Sequence, residues 1–304
     1  MISLRQLRYF EAVARSRHFG KAAGQCAVTQ PALSMQIQEL EKTLGVQLIE
    51  RGRHGVMLTE AGREIAGRAS RILADTRDIV DFARRQGSVL AGPLRLGVIP
   101  SVAPYVLPAL LPLIREKFPD LDLHLRETRT DHLVEELLDG GLDLLLLALP
   151  VENPEVETIK LFNDRFLLAM PKSRQVLNRI RATPELLQQD RLLLLEEGHC
   201  LRDQALSWCS LRRIDNIDTF GASNLSTIVQ MVANGLGMTL LPELSINLEC
   251  RRGDIRLMRF TDPQPRRVVG LAWRRSSPRK RHFVELGKLI TQATAVQMRD
   301  SELV

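Results

Sequence analysis

The 304-residue sequence is poor in cysteine, with only Cys26, Cys200, Cys209 and Cys250. Four unevenly spaced thiols are too few for the disulfide framework that staples small secreted domains. In a reducing compartment they are expected to be free at rest, so any disulfide among them would be transient or regulatory. Long apolar runs are missing too. The longest, Val102 to Ile114, is broken by Pro104, Pro108 and Pro112 and falls short of the roughly 20 residues that a bilayer-spanning helix requires. The first stretch carries Arg5, Arg8, Glu11, Arg15 and Arg17 and no apolar h-region, which argues against a signal peptide. The chain therefore reads as cytoplasmic, with no membrane partner. A composition of 44% hydrophobic and 26% charged residues excludes a wholly disordered protein. At about 100 to 200 residues per domain, the length suggests two or three domains.

Most of the chain also lacks net charge. Of the formal +6, residues 1–91 supply +5 (14 Lys and Arg against 9 Asp and Glu), and the remainder supplies +1 (28 against 27). A compact basic module joined to a near-neutral body suggests a polyanion-binding head, although a solvated basic face would account equally well for charge alone. Ser3 and Gln6 form a capping box before a helix expected to bury Leu4, Leu7, Phe10, Val13 and Ala14. A short helix over Gly20 to Ala27 follows. Thr29 then caps a third helix with Pro31 in its first turn. Leu33, Ile37, Leu40 and Leu44 fall on one stripe of that helix, the core face. The opposite side presents Pro31, Ser34, Met35, Gln38 and Lys42, with Thr29 and Gln30 at its leading edge. Short polar side chains on the free face of a capped helix fit a recognition helix in a DNA major groove. Next, Arg51, Arg53 and His54 surround Gly52 and Gly55 before Val56-Met57-Leu58, a turn that fits a wing placing cations on phosphates.

The run FGKAAGQCAVTQPALSMQIQELEKTLGVQLIERGRHGVMLTEAG resembles the winged helix-turn-helix of LysR-type transcriptional regulators. It carries A-A, T-Q-P-A-L-S, Q-I-x-x-L-E and L-T-x-A-G in place. By that resemblance Gln30, Pro31 and Ser34 meet base edges and the groove, and Arg51 and Arg53 are wing contacts. Leu48-Ile49 departs from the family's usual Leu-Phe and reads as an exchange within the core.

Thr59 to about Arg85 contains no proline, and Ile65, Ala69, Ile72, Thr76, Ile79 and Ala83 recur at spacings of four and three. That is a coiled-coil seam about 40 Å long, and a dimerisation helix pairing with a second copy is its expected use. Gln86-Gly87-Ser88 and Ala91-Gly92-Pro93 are expected to break it. Beyond Pro93 short apolar strands alternate with amphipathic helices, which makes the body α/β. Strands are expected at residues 94–99, 121–127, 142–149, 166–170, 191–195, 238–241 and 268–273. The family resemblance covers essentially the whole chain. It implies a winged helix-turn-helix domain at 1–58, a linker helix and hinge at 59–91, and a periplasmic-binding-protein-like regulatory domain at 92–304. Within that domain it implies subdomains at about 92–163 with 268–304 and at about 164–267, and an effector site at the cleft between them.

The segment LLEEGHCLRDQALSWC, residues 194–209, is the informative one. A strand ends at Gly198, and Cys200 stands where the next helix begins, flanked by His199 and Arg202. Helix dipole, imidazole and guanidinium all favour a thiolate. A thiolate opens a peroxide O–O bond and leaves a sulfenic acid that a second thiol, such as Cys209, traps as a disulfide. If the segment is helical, the two α-carbons lie roughly 13 Å apart, whereas a disulfide requires about 4.4 to 6.8 Å. Bridging then requires the helix to unwind or swing. Two cysteines alone read more readily as small core residues. The string G-H-C-L-R-D-Q-A-L, however, resembles the hydrogen-peroxide-sensing members of the LysR family.

That resemblance implies a peroxidatic Cys200 and a resolving Cys209. It further implies peroxide-orienting hydroxyls at Thr130 and at Ser101 (serine in place of the usual threonine), an orienting Asp203, and an Arg267 guanidinium that supports the thiolate. It implies a dimer or tetramer on promoter DNA that activates peroxide-defence genes through RNA polymerase, with glutaredoxin or thioredoxin as reductant and no catalytic turnover of its own. No cofactor is expected. No metal is expected either, because His199, Cys200 and Cys209 fit no common zinc pattern. Cys26 reads as core. Cys250 reads as a surface thiol beside Arg251 and Arg252, whose charges would lower its pKa if close. Arg274, Arg275, Arg279, Lys280 and Arg281 read as a solvated face. The rivals are a LysR-type regulator responding to a small carboxylate metabolite and a thiol peroxidase, which the helix-turn-helix argues against.

Overall fold

The computed structural model describes residues 1–52, 55–84, 90–174, 181–211, 217–251 and 254–300. They fall into two compact units, one of residues 1–86 with 138–141 and the other of residues 87–137 with 142–304.

The first unit opens with α1 (Leu4–Ser16), α2 (Phe19–Cys26) and α3 (Gln30–Leu44). It continues through β1 (Ile49–Gly52) and β2 (Gly55–Leu58) into α4 (Glu60–Arg84). The Ser3–Gln6 capping box is present. Leu4 is 49% exposed, so the buried face of α1 is Leu7, Tyr9, Phe10, Ala12 and Val13, rotated from the expected one. α2 ends at Cys26 because Ala27 adopts a left-handed conformation, φ 56°. Thr29 caps α3 through the Ala32 N–H, and Leu33, Ile37 and Leu40 are buried as their spacing requires. Cys26 and Ile49 belong to the same core.

The two outer motifs have physical causes. Glu41, the last residue of Q-I-x-x-L-E, accepts the backbone N–H groups of Leu48 and Ile49 at 2.8 and 3.1 Å, tying β1 to the recognition helix. Gly62 of L-T-x-A-G lies so close to the Leu48 carbonyl that a Cβ there would stand 2.0 Å from it. Thr59 meanwhile caps α4 through the Gly62 N–H.

The second unit contains β3 (Gly92–Val98), α5 (Ala103–Lys117), β4 (Leu121–Glu127), α6 (Thr130–Leu138), β5 (Leu144–Leu149) and β6 (Val156–Pro171). After α7 (Pro184–Leu187) come β7 (Leu192–Leu195), α8 (Cys200–Leu211), β8 (Ile217–Ala222), α9 (Leu225–Ala233) and β9 (Thr239–Pro242). A 3-10 turn at Glu243–Ser245 leads to α10 (Ile246–Glu249), β10 (Ile255–Met258), β11 (Arg266–Arg274) and α11 (Lys280–Asp300). The strand order is β10-β6-β11-β5-β3-β4, with β9 also on β6, and β7 pairs with β8 in a second sheet. β3 is parallel to β4 and β5, while β11 is antiparallel to β5 and β6. β5 is a run of leucines buried on both faces, as expected of a covered strand.

The expected strand at 166–170 is only the end of β6. Its first part pairs with β11 and its last part with β9 and β10, so one strand joins the two halves of this unit. β8 and β10 were not anticipated, because each is too short to stand out as an apolar run. Gly92 and Pro93, expected as a break, open β3. The break at Gln86-Gly87-Ser88 falls outside the described residues. α5 tolerates Pro108 and Pro112 because they, with Pro104, recur every fourth residue along its exposed side. Hydration there satisfies the carbonyls that prolines leave unpaired. The C-terminal cations are not all solvated. Arg274 donates to the Leu137 and Leu142 carbonyls and Arg279 to that of Pro93, and both side chains are buried.

Candidate functional site

On α3, Thr29, Gln30, Pro31, Met35 and Gln38 are exposed and Ser34 is half-buried, so the face opposite the core stripe is open. Arg51 has its backbone in β1, while Arg53 and His54 lie outside the described residues. On α4 the expected seam divides. Ile65 packs against the helix-turn-helix core, and Ala69 forms a buried cluster with Leu7 and Leu73. Ile72 and Ile79 are exposed at 45% and 69%, and Thr76 is half-buried. The first two seam positions are thus filled from within the chain.

The thiol region is built where β7 hands over to α8. Leu192 to Leu195 are buried, and Gly198 turns the chain at φ 87°. The turn is held from α6's leading end: Arg129 Nη1 donates to the Glu197 carbonyl at 2.9 Å and would lie 2.5 Å from a Cβ at position 198. The next residue, Thr130, begins α6. Its Oγ1 is buried and finds no hydrogen-bond partner among the described residues.

Cys200 is the first residue of α8, half-exposed at the positive end of the helix dipole. Cys209 is on the same helix and wholly buried, and desolvation pushes its thiol up to about 11. Nine helical residues separate the two α-carbons by about 13 Å and rotate them to opposite faces. Both thiols are free.

The charged neighbours differ from expectation. Burial lowers the pKa of His199, with Glu196 opposing and Arg129 assisting. At neutral pH His199 is therefore a neutral hydrogen-bonding group beside Cys200 rather than a cation. Arg202 pairs with Glu197 at 3.4 Å, and Asp203 is exposed in the first turn of α8.

Arg267 is fully engaged elsewhere. Its Nε donates to Asp164 Oδ2 at 2.8 Å, its Nη1 to Ser101 Oγ at 2.7 Å and its Nη2 to the Ser101 carbonyl at 2.9 Å, all buried. The Arg267 charge bears directly on the Ser101 hydroxyl. Because that oxygen accepts from Arg267, its proton is left to point elsewhere.

Beside Ser101 lies a cavity of about 200 Å³, which also touches Tyr105, Glu127, His199, Ser226 and Glu249. No lysine or arginine lines it among the described residues. Tyr105 is held well above the ordinary phenol range, first by burial and then by Glu249. Asp164, Arg129, Tyr105 and Glu249 were missed because their partners stand far away in sequence, with no local pattern to mark them. Among the described residues, no cluster of three or more His, Cys, Asp or Glu is placed to hold a metal, and no helix is long and apolar enough to cross a membrane.

This arrangement of a winged helix-turn-helix unit and a divided α/β unit defines a class of protein. Residues 4–63 match the family described as bacterial regulatory helix-turn-helix protein, lysR family, and residues 87–294 match the LysR substrate binding domain. The chain belongs to the LysR family of transcriptional regulators.

Within it, the chain is 43% identical over 300 residues to a probable hydrogen peroxide-inducible genes activator of Streptomyces viridosporus, covering 98% of this chain and 95% of that one. It is 38% identical over 289 residues to the DNA-binding transcriptional dual regulator OxyR of Escherichia coli K12, covering 95% of each. An HTH-type regulator of Acinetobacter baylyi, EstR, is 37% identical over 294 residues, covering 96% of this chain and 97% of that one. Among solved structures, a cysteine-to-aspartate variant of full-length OxyR from Pseudomonas aeruginosa superposes with a TM-score of 0.82 at 36% identity, covering 95% of each chain. A peroxide-bound cysteine-to-serine variant of Corynebacterium glutamicum OxyR superposes with a TM-score of 0.68 at 36% identity, covering 99% and 96%.

Proposed function

We propose that the chain is a DNA-binding transcriptional activator switched by hydrogen peroxide through Cys200 and Cys209. One observation carries the reading: a half-exposed thiol at the start of α8 and a buried thiol on the same helix, both free and too far apart to bond without refolding. Cys200 as thiolate attacks one peroxide oxygen. The O–O bond breaks, sulfur becomes a sulfenic acid, and the departing hydroxide takes a proton to become water. The Cys209 thiol then displaces the sulfenic hydroxyl as a second water. Two thiols and one peroxide thus yield a disulfide and two waters. The disulfide persists until a dithiol reductant of the glutaredoxin or thioredoxin kind removes it, so the protein acts as a switch rather than an enzyme.

Thr130 and Ser101 supply hydroxyls to orient the peroxide, with Ser101 polarised by Arg267. Closing the bond unwinds α8 and repacks its surroundings. The regulatory region at 92–304 passes that change through the linker helix at 59–91 to the DNA-binding region at 1–58. Exposed Ile72 and Ile79 support pairing of α4 with a second copy, as a dimer or tetramer. The open face of α3 and the wing arginines meet promoter DNA, and activation proceeds through RNA polymerase in the cytoplasm.

The test is a brief, near-stoichiometric dose of peroxide on the reduced full-length protein, read by alkylation and peptide mass spectrometry. A Cys200–Cys209 disulfide that vanishes on mild reduction is the expected result, and Cys200→Ser abolishes it. Two free thiols after the dose would sink the reading.

A further inference from the structure

The cavity beside Ser101 holds an acid that the thiol chemistry does not use. Glu249, the last residue of α10, accepts through one oxygen from Tyr105 Oη on α5 and from Ser226 Oγ on α9, each at 2.9 Å. Ser226 is the second residue of α9, and Asn224 caps that helix through the Thr227 N–H. The Glu249 carboxylate therefore sits at the positive end of a helix, between two hydroxyl donors, where an external anion would otherwise be favoured. A second carboxylate, Glu127, also lines the cavity. With no lysine or arginine lining it among the described residues, an entering anion would meet two like charges and find the Tyr105 and Ser226 hydroxyls already taken.

We propose that Glu249 is a built-in carboxylate occupying the anion position of this cleft, and that it sets the cleft's specificity. It closes the cleft to small carboxylates and leaves it open to small neutral solutes. The assignment rests on the peroxide reading only for what the neutral solute is, since hydrogen peroxide is uncharged at neutral pH.

The test uses the reduced full-length protein and chemical rescue. Glu249→Ala removes the internal anion and leaves the Tyr105 and Ser226 hydroxyls facing its former place. Propionate, against matched chloride, is expected to raise the thermal midpoint of E249A by about 2–4 °C near saturation, whereas propionamide is not. The wild type is expected not to respond to propionate. Wild-type protein stabilised by propionate as much as the variant, or an E249A protein that propionate does not rescue, would overturn the proposal.

Should E249A not fold, E249Q keeps the shape and drops the charge. Its propionate-to-propionamide affinity ratio, measured by calorimetry, is expected to exceed the wild-type ratio at least fivefold. An equal ratio, or no binding by either protein, counts against the assignment. Peroxide-driven disulfide formation is scored on the same wild-type sample, so the two readings fail separately. A wild type that binds propionate and forms no disulfide is a carboxylate-responsive regulator.

Discussion

The two ends of α8 are built to opposite specifications. At the Cys200 end the helix begins half-exposed, and three buried polar atoms, Arg202 Nε and Gln204 Oε1 on α8 and Thr130 Oγ1 at the start of α6, find no hydrogen-bond partner among the described residues. At the Cys209 end the thiol is fully buried, its neighbour Trp208 meets Phe260 edge-on with centroids 5.0 Å apart, and burial keeps the sulfur protonated. A buried polar group without a partner costs about 1–3 kcal/mol, and proteins keep such groups where a ligand or a reaction uses them. One end therefore holds reactivity at the expense of stability. The other holds a thiol in reserve, unreactive until the helix opens.

The contrast breaks most completely at Cys209. If the buried end takes no part in the first step, Cys209→Ser leaves the attack on peroxide intact and changes only its product. Dimedone labelling is expected to find a lasting sulfenic acid at Cys200, with no intramolecular disulfide, in close to full yield. A C209S protein that fails to react would show that the two ends act together from the start.

The contrast sharpens at Thr130. Thr130→Val replaces an unpartnered buried hydroxyl by a methyl of the same size. Loss of one hydrogen bond to the peroxide is expected to slow sulfenic acid formation about tenfold. Stability is expected to hold or rise, because the unpaired oxygen is gone. Stopped-flow kinetics and thermal melting of one preparation check both. A clear loss of stability would make Thr130 a structural residue and remove it from the site.

The sequence announced the first unit far better than the second, and the reason is the range of the contacts. α1, α3 and α4 are set by caps and apolar spacing within a few residues, so Ser3, Thr29 and the Leu33–Ile37–Leu40 stripe could be read directly. Even there the phase of α1 slipped, because Leu4 continues the periodic stripe but lies in the first, outlying turn. In the second unit the sequence marks Cys200 and Cys209 by their own chemistry. It is silent on what holds them: Arg267 reaches Asp164 and Ser101 across 103 and 166 residues, and Tyr105 reaches Glu249 across 144. Local charge also misled. Arg251 beside Cys250 suggested a lowered pKa, yet burial, with Glu249 adding to it, pushes that thiol up to about 12. His199 adjoins Cys200 as a neutral ring for the same reason, since desolvation outweighs the nearest carboxylate.

The effect that vanishes at neutral pH tests the storage end of α8 alone. An unfolded thiol ionises near 9.0, while folded Cys209 holds its proton to about 11. Between those values the folded state binds the proton and the unfolded state has released it, so stability falls as pH rises. The contribution is complete below about pH 9 and lost through about pH 11, at no more than about 1.4 kcal/mol for each pH unit. Cys250 titrates in a similar direction, so the comparison must be with Cys209→Ala, which retains every other group. The difference in thermal midpoint between reduced wild type and C209A is expected to be flat up to about pH 9 and then to shrink. A difference that stays flat through pH 11 would mean that Cys209 ionises as readily in the fold as in the open chain. The two ends of α8 would then differ in geometry only, and the reserve thiol would need no unwinding to become reactive.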